Sequence, residues 1–276
     1  MDEHTIADDM LPAERRQRLA DWFVNNVAAS NQELARVFNT SVSTIRRDLD
    51  YLASQDIVRR THGGAVRVRR RATFEPTTDE ARHTAIEEKR AIAVEAARRL
   101  EPDQSILIDT GSTLHEFAQE VADLTIPLTV VTNDVYVAGI LANKPHVKLV
   151  VPGGNCRDGA YTLLGEPGIS FLKDIRCDQF FLCSQAVDLE CMSDTSLELV
   201  QLKRAMMAAA ESTILLVDSS KFLTRAFYRI GVLDQLTEII TDDGLSDEDR
   251  TRFHIAGIKI TCACVPEIPT DDGHKE

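Results

Sequence analysis

Between residues 106 and 240, short apolar runs alternate with helical stretches. Ile106-Leu107-Ile108, Leu128 to Val131, Val147 to Val151, Phe180-Phe181-Leu182, Ile214 to Val217 and Ile239-Ile240 each read as a strand. Helical spacing over Leu114 to Val121, Val135 to Ala142 and Ser196 to Glu211 separates several of them, and Glu87 to Leu100 gives a further helix ahead of the first strand. Such alternation predicts βα units on a mainly parallel sheet. No solenoid-like repeat period is present.

A parallel sheet places ligand sites at the carboxyl ends of its strands. Polar residues follow the apolar runs in the expected places. After Ile108 comes Asp109-Thr-Gly111-Ser112-Thr113, leading into a helix, and after Val131 comes Thr132-Asn133-Asp134. After Val151 come Gly153 and Gly154, then Arg157 and Gly165, and after Val217 comes Asp218-Ser-Ser-Lys221. Any one of these is compatible with an ordinary βα turn. Four together point to a pocket for a small polyol carrying a phosphate, held by hydroxyls and backbone amides at a helix start.

The N-terminal part has a different pattern. In Ser41 to Leu52 the apolar residues Val42, Ile45, Leu49 and Leu52 form one helical stripe, and Ser41 stands at the N-cap position. At about 100° per residue, Arg47 points away from that stripe. Ser43, Thr44, Asp50 and Tyr51 share its face, and Arg46 lies on the flank. A helix with a dry back and a front of Ser, Thr and Arg suits a DNA major groove, although a solvated surface helix has the same pattern. Ser30-Asn-Gln-Glu33 has capping-box spacing and opens a helix in which Leu34, Val37 and Phe38 face inward, and the turn Asn39-Thr40 joins it to the Ser41 helix. Two such helices predict a helix-turn-helix, with Pro12 to Asn25 as a supporting helix. Ile57 to Val66 reads as two strands around Gly63-Gly64, a wing that sets Arg59, Arg60 and His62 toward phosphate.

The net charge of −13 argues against an indiscriminate nucleic-acid coat. Between residues 41 and 71, however, eight arginines face three aspartates, so the reading helix and wing are locally basic. Arg67, Arg69, Arg70 and Arg71 begin a linker whose basic start is placed to follow the DNA backbone, if it is not simply a solvated hinge. There is no apolar run of membrane-spanning length, and residues 1 to 10 are acidic with no signal-peptide core, so a cytoplasmic location is expected. The six cysteines form no Cys-x-x-Cys pair, and no His cluster accompanies them. Reduced, mostly buried thiols are expected, with Cys262 and Cys264 packing on a strand, and no metal.

Thr44-Ile-Arg-Arg-Asp-Leu49 followed by Arg60-Thr-His-Gly-Gly-Ala65 resembles the DNA-binding domain of the DeoR family of bacterial transcriptional regulators over about Pro12 to Arg67. The later motifs are similar to the effector-binding domain of the same family over roughly Lys89 to Thr241. That domain has the fold of ribose-5-phosphate isomerase and CoA-transferase proteins. The resemblance implies that Asp109, Gly111, Ser112 and Thr113 form a phosphate loop, and that Thr132, Asn133, Gly153, Gly154, Lys203, Asp218 and Lys221 face a ligand. Cys183-Ser-Gln-Ala-Val-Asp188 and Cys191-Met192 stand where the family commonly has glycines.

The expected organisation is a winged helix-turn-helix domain over 12–67, a linker over 68–85 and an α/β effector domain over 86–265. The expected partners are double-stranded operator DNA, a phosphorylated sugar or polyol, and further copies of the chain in a dimer or tetramer. The function implied is repression of a carbohydrate or polyol operon without enzymatic activity or cofactor. Two alternatives weigh less. In a sugar-phosphate isomerase, Asp188, Glu190, Asp218 and Lys221 would supply the acid, base and electrostatic roles. An architectural DNA-binding protein would have no use for four polar clusters at strand ends.

Overall fold

The computed structural model describes residues 10–26, 28–54, 57–67, 72–73 and 75–266, and the chain divides after Arg70 into two compact units. Arg69, Arg70, Arg71 and Asp56, counted above in the basic stretch, lie outside the described residues.

The first unit runs α1 (Pro12–Asn25), β1 (Ala28–Ser30), α2 (Asn31–Val37), α3 (Val42–Ser54), β2 (Val58–Arg60) and β3 (Gly64–Arg67). Two of these helices start at a side chain that partners their orphan amides, and the third starts at a proline. Pro12 opens α1, where its missing N–H costs nothing. Ser30 and Glu33 cap α2 reciprocally, the Glu33 N–H donating to Ser30 Oγ at 3.1 Å. Ser41 Oγ accepts the Thr44 N–H at 3.1 Å at the head of α3. Leu19, Phe23, Leu34, Ile45, Leu49 and Leu52 meet in one core with Val58 and Ala65 of the wing. Removing any of these leucines to Ala would cost about 2–5 kcal/mol.

The wing has a third strand that no period-two signal announced, because Ala28-Ala-Ser30 is too short and too small to show one. The antiparallel order is β1-β3-β2, with Ser30 opposite Gly64. This pairing explains Gly64: a Cβ there would stand 2.0 Å from the Ala29 carbonyl oxygen, whereas Gly63 has open space.

The second unit begins with α4 (Thr78–Arg82) and α5 (Ile86–Ala97) and continues β4 (Ser105–Ile108), α6 (Ser112–Asp123), β5 (Leu128–Thr132), α7 (Val135–Leu141) and β6 (Val147–Val150). A short antiparallel pair follows, β7 (Asn155–Cys156) with β8 (Leu163–Leu164), then α8 (Gly168–Lys173) and β9 (Cys177–Leu182). The rest is β10 (Ala186–Val187), β11 (Cys191–Asp194), α9 (Leu197–Ala208), β12 (Ala210–Leu216), β13 (Tyr228–Val232), β14 (Glu238–Asp242), α10 (Asp247–Ile255) and β15 (Ile260–Ala263). Seven strands form a parallel sheet in the order β15-β14-β12-β9-β4-β5-β6.

The sheet is buried on both faces, so its central strands read as continuous apolar runs. Leu107, Phe180 and Leu182 point into a core completed by Leu199, Leu202, Met206 and Phe253. Ile106, Ile108 and Phe181 point into the opposite core with Ile92, Leu114 and Phe117. The chain passes from β4 to β5 and β6 on one side, then returns to β9 on the other side of β4. The switch point therefore lies between β4 and β9, the place in such sheets where ligand crevices form at the carboxyl ends of the strands.

Expectations change for Val37 of α2, which the spacing sets inward and which is 55% exposed, for the linker and for the cysteines. The linker expected over 68–85 contains α4, opened by a capping box of Thr77 and Glu80 and docked on the second unit. Residues 186–194 carry β10 and β11, which join β13 in a separate antiparallel sheet. The cysteines are all free thiols, but only Cys177 and Cys191 are buried; Cys183 and Cys262 are half-buried, and Cys156 and Cys264 are exposed. Cys264 falls beyond β15, so the strand that was to pack it ends first.

Candidate functional site

On α3, Arg46, Arg47, Ser43 and Tyr51 are exposed and Thr44 is half-buried, which presents the side read from the sequence as a groove-facing surface. The Ser41 hydroxyl lies 2.8 Å from both the Ser43 and Thr44 hydroxyls, fixing the first turn. Behind that face, Asp48 is 1% exposed and accepts from Arg15 Nε at 2.7 Å and Arg16 Nε at 3.0 Å. Arg16 also covers the Tyr51 ring at 4.3 Å. Asp48 thus ties α3 to α1.

In the wing, Arg59 and His62 are exposed. Arg60 is otherwise engaged: its guanidinium donates to the Gly64 carbonyl at 2.9 Å and Asn31 Oδ1 at 3.3 Å, and its Nε lies 2.8 Å from Asp50. Sequence reasoning set it against phosphate; the geometry makes it a brace of the wing.

At the switch point of the second unit, Asp109 follows β4 and Cys183 follows β9. The Cys183 N–H donates to Asp109 Oδ2 at 3.2 Å. Lys203, on the buried face of α9, lies 3.2 Å from the same oxygen, and donates to Asp194 Oδ2 at 2.8 Å and to the Cys183 carbonyl at 2.7 Å. Burial disfavours the Lys203 ammonium, but Asp109 and Asp194 outweigh it and hold it protonated above the usual lysine range. One lysine cannot balance two carboxylates. Asp109, without any solvent contact, is pushed above the usual carboxylate range by burial, against the pull of Lys203 and the Thr110 and Cys183 amides. Its second oxygen, Oδ1, has no protein partner among the described residues. Neither does the amide of Asn133, at the end of the adjacent β5. Buried polar atoms are rarely left so.

The helix that starts here, α6, has Gly111 at its N-cap and no side-chain cap, so its first amides have no side-chain partner of that kind. Gly111 has φ +135°, a value that L side chains rarely adopt, and a Cβ there would meet Cys183 Sγ at 3.2 Å. Burial pushes the Cys183 thiol up to about 11, so it stays protonated at neutral pH. By contrast, α7, α9 and α10 are capped by their own Asp134, Ser196 and Ser246.

Asp218 is buried and accepts the Ser220 N–H at 3.1 Å. Burial works to raise its pKa, but Lys221, Ser220 and Lys89 bring it below the usual value. Lys221 is half-buried, and its ammonium has no hydrogen bond or ion pair with the described residues. Lys89 is 4% exposed and its Nζ donates to the Ala81 carbonyl at 2.6 Å, closing the end of α4.

Other sequence candidates have local tasks. Thr132 Oγ1 accepts the Asp134 N–H at 3.1 Å within its own turn. Gly154 is required because a Cβ would lie 2.6 Å from the Leu164 carbonyl, and Gly153, at φ +91°, lies against Gly168. Arg157 grips Glu75 with both guanidinium nitrogens, at 2.7 and 2.8 Å. Of the isomerase quartet, Asp188 and Glu190 are both turned to Arg225, while Asp218 is held by Ser220. Sequence reasoning missed Asp194, Lys89, Asp48 and Glu75.

Among the described residues no cluster of three His, Cys, Asp or Glu could hold a metal ion, and no helix is long and apolar enough to cross a membrane.

A family profile described as the DeoR C terminal sensor domain matches residues 84–243, and one described as the DeoR-like helix-turn-helix domain matches residues 15–71. The chain is 29% identical over 255 residues to the HTH-type transcriptional regulator GolR of Listeria innocua, covering 92% of this chain and 100% of that one. It is 32% identical over 253 residues to the HTH-type transcriptional regulator GlpR of Haloferax volcanii, covering 91% and 98%. It is 35% identical over 237 residues to the L-fucose operon activator of Haemophilus influenzae, covering 84% and 93%. Among solved structures, ribose 5-phosphate isomerase A of Methanocaldococcus jannaschii overlaps 49% of this chain and 53% of that one, with TM-score 0.37 and 17% identity.

Proposed function

The chain belongs to the DeoR family of transcriptional regulators, and from that premise we propose that it represses a carbohydrate or polyol operon and is released from its operator by a phosphorylated sugar or polyol. The exposed face of α3 reads the major groove through Arg47, Arg46, Ser43, Thr44 and Tyr51, while Arg59 and His62 follow phosphates.

One observation carries the ligand half of this reading. The uncapped start of α6 lies at the switch point beside a buried Asp109 oxygen and a buried Asn133 amide that lack partners among the described residues. Amides at a helix start favour an oxyanion, and orphan polar atoms favour hydroxyls. The ligand's phosphate takes the amides from Gly111 to Leu114 with the Ser112 and Thr113 hydroxyls. Its sugar hydroxyls take Asp109 and Asn133. Lys221, with Asp218 beside it, supplies the cation; Lys203, already bound to two carboxylates, positions Asp109 instead.

Specific sites are usually read as paired half-sites, so the second unit holds at least a dimer. Light scattering that found a monomer at full operator affinity would contradict this. The ligand reading is tested by a thermal-shift screen over sugar and polyol phosphates, followed by operator titration with each hit. A stabilising compound that also lowers operator affinity is the expected result. A screen in which only unphosphorylated sugars stabilise the protein would refute it.

A further inference from the structure

Just ahead of α4, Glu75 meets residues from later loops of the same unit. Its carboxylate receives both guanidinium nitrogens of Arg157, at 2.7 and 2.8 Å, and the Thr195 hydroxyl. A bidentate guanidinium with an added hydroxyl donor is how proteins hold a carboxylate or phosphate. Here the anion comes from the chain itself.

Three features set this pair apart from a surface ion pair. First, it is wired to the crevice. The Thr195 N–H donates to Asp194 Oδ1 at 2.8 Å, Asp194 Oδ2 accepts from Lys203 at 2.8 Å, and Lys203 lies 3.2 Å from Asp109. Second, burial of Glu75 is outweighed by Arg157, Thr195 and the more distant Lys203, which together hold its carboxyl below the usual range. Third, Glu75 and Arg157 keep 26% and 27% side-chain exposure, so an anion from solvent can reach both.

The same stretch is fastened by other loops at the carboxyl ends of the sheet. The Thr78 N–H donates to the Gly159 carbonyl at 3.3 Å, the Tyr161 hydroxyl to Asp79 at 2.9 Å, and Arg82 to the Tyr136 hydroxyl at 2.5 Å. Only residues 71–74 separate Glu75 from the end of the first unit.

We propose that Glu75 is a built-in occupant of an oxyanion site formed by Arg157 and Thr195, and that an acidic group of the effector displaces it and undocks the connector leading to the DNA-binding unit. This rests on reading the second unit as the effector sensor. It deepens that reading by requiring the effector to carry a second acidic group besides the phosphate held at α6. The intramolecular occupant sets the threshold: ligand must outcompete a carboxylate present at high effective concentration.

Hydrogen exchange on the full chain, with inorganic phosphate against chloride at equal ionic strength, separates the two claims, because free phosphate can fill either site independently. Protection of Gly111 to Leu114 reports the α6 site, and faster exchange over residues 75–84 reports displacement of Glu75. Both changes together support both readings. Protection at α6 with no change in the connector overturns the Glu75 proposal and leaves the effector site standing. Faster connector exchange without α6 protection supports the Glu75 site and removes the α6 site. Neither change overturns both. In Glu75→Gln, which keeps the size of the side chain but not its charge, connector exchange should be fast without phosphate. Phosphate should also bind about tenfold more tightly than in wild type. Equal phosphate affinity in Glu75→Gln and wild type would overturn the proposal.

Discussion

The Lys203 ammonium lies 3.2 Å from the Asp109 carboxylate with both side chains almost wholly out of solvent. Such a pair costs more to break than it contributes when intact, because removing one partner leaves an uncompensated buried charge. Lys203→Met should therefore destabilise the second unit by about 3–5 kcal/mol in urea unfolding. The loss should shrink in acid. Asp109 has a raised folded pKa, so the folded state binds the extra proton, and stability is regained as pH falls through that value. A loss below 1 kcal/mol, or one independent of pH, would show that Asp109 is not charged against Lys203.

Glu238 makes the opposite acid prediction. Burial alone would raise its pKa, but Arg99, Thr261 and Lys259 bring it from 4.5 to about 2. A depressed carboxyl contributes stability that is fully present above its unfolded value and is lost as pH falls through the folded one. The second unit should lose of order 3 kcal/mol between about pH 5 and pH 2 through this group. Glu238→Gln should flatten that part of the stability profile and lower stability at pH 7. An unchanged acid slope in the variant would place the titrating group elsewhere.

Arg59 and Arg60, adjacent in sequence, should behave differently. Arg59→Ala, at an exposed position, should weaken binding to all DNA sequences alike and reduce the salt slope by about one unit. Arg60→Ala should instead release Asn31, Asp50 and the Gly64 carbonyl, lowering the melting temperature of the first unit. Arg47→Ala should cost about 1–3 kcal/mol on the specific site only, with folding unaffected. Anisotropy titrations on operator and random duplex across a salt series, with calorimetry beside them, separate the three. Arg60→Ala with normal stability and a reduced salt slope would restore it to the phosphate-contacting set.

These assignments divide what the sequence could and could not convey. The helix-turn-helix was legible because its caps and apolar stripe are local, and the parallel sheet because its strands alternate with helices. Less obvious signals were also present. Ile45, Asp48, Leu49 and Leu52 share one helical stripe, as do Lys89, Ile92, Ala93 and Ala96, and so do Leu199, Lys203 and Met206. A charge inside a buried stripe requires a partner, and each of the three has one. What no window could convey was the identity of the partner. Glu75 and Thr195 lie 120 residues apart and meet only because the sheet brings its loops to one end. β1, β7, β8 and β10 are two or three residues long, too short for any period to register.

The crevice itself can be tested without disturbing its frame. Gly111→Val is a poor probe: Gly111 sits at φ +135°, and a side chain there would also press on Cys183 Sγ, so loss of response and loss of folding would be confounded. Lys221→Gln avoids both problems, since the ammonium has no hydrogen bond or ion pair with the described residues to lose. Removing a charged partner of a bound phosphate should cost about 1.5–3 kcal/mol of effector affinity, roughly 10- to 150-fold. Operator binding without effector should be unchanged, because DNA release depends on the ligand's preference for the weak-binding state and not on Lys221 in the free protein. In cells the variant should behave as a super-repressor at effector levels that induce wild type. The check is operator titration over a range of concentrations of the sugar phosphate found by the thermal-shift screen. A response curve displaced to higher concentration with the same endpoints is the expected result. A curve that overlays wild type would mean that the phosphate does not meet Lys221 and that the cation of this site lies elsewhere in the fold.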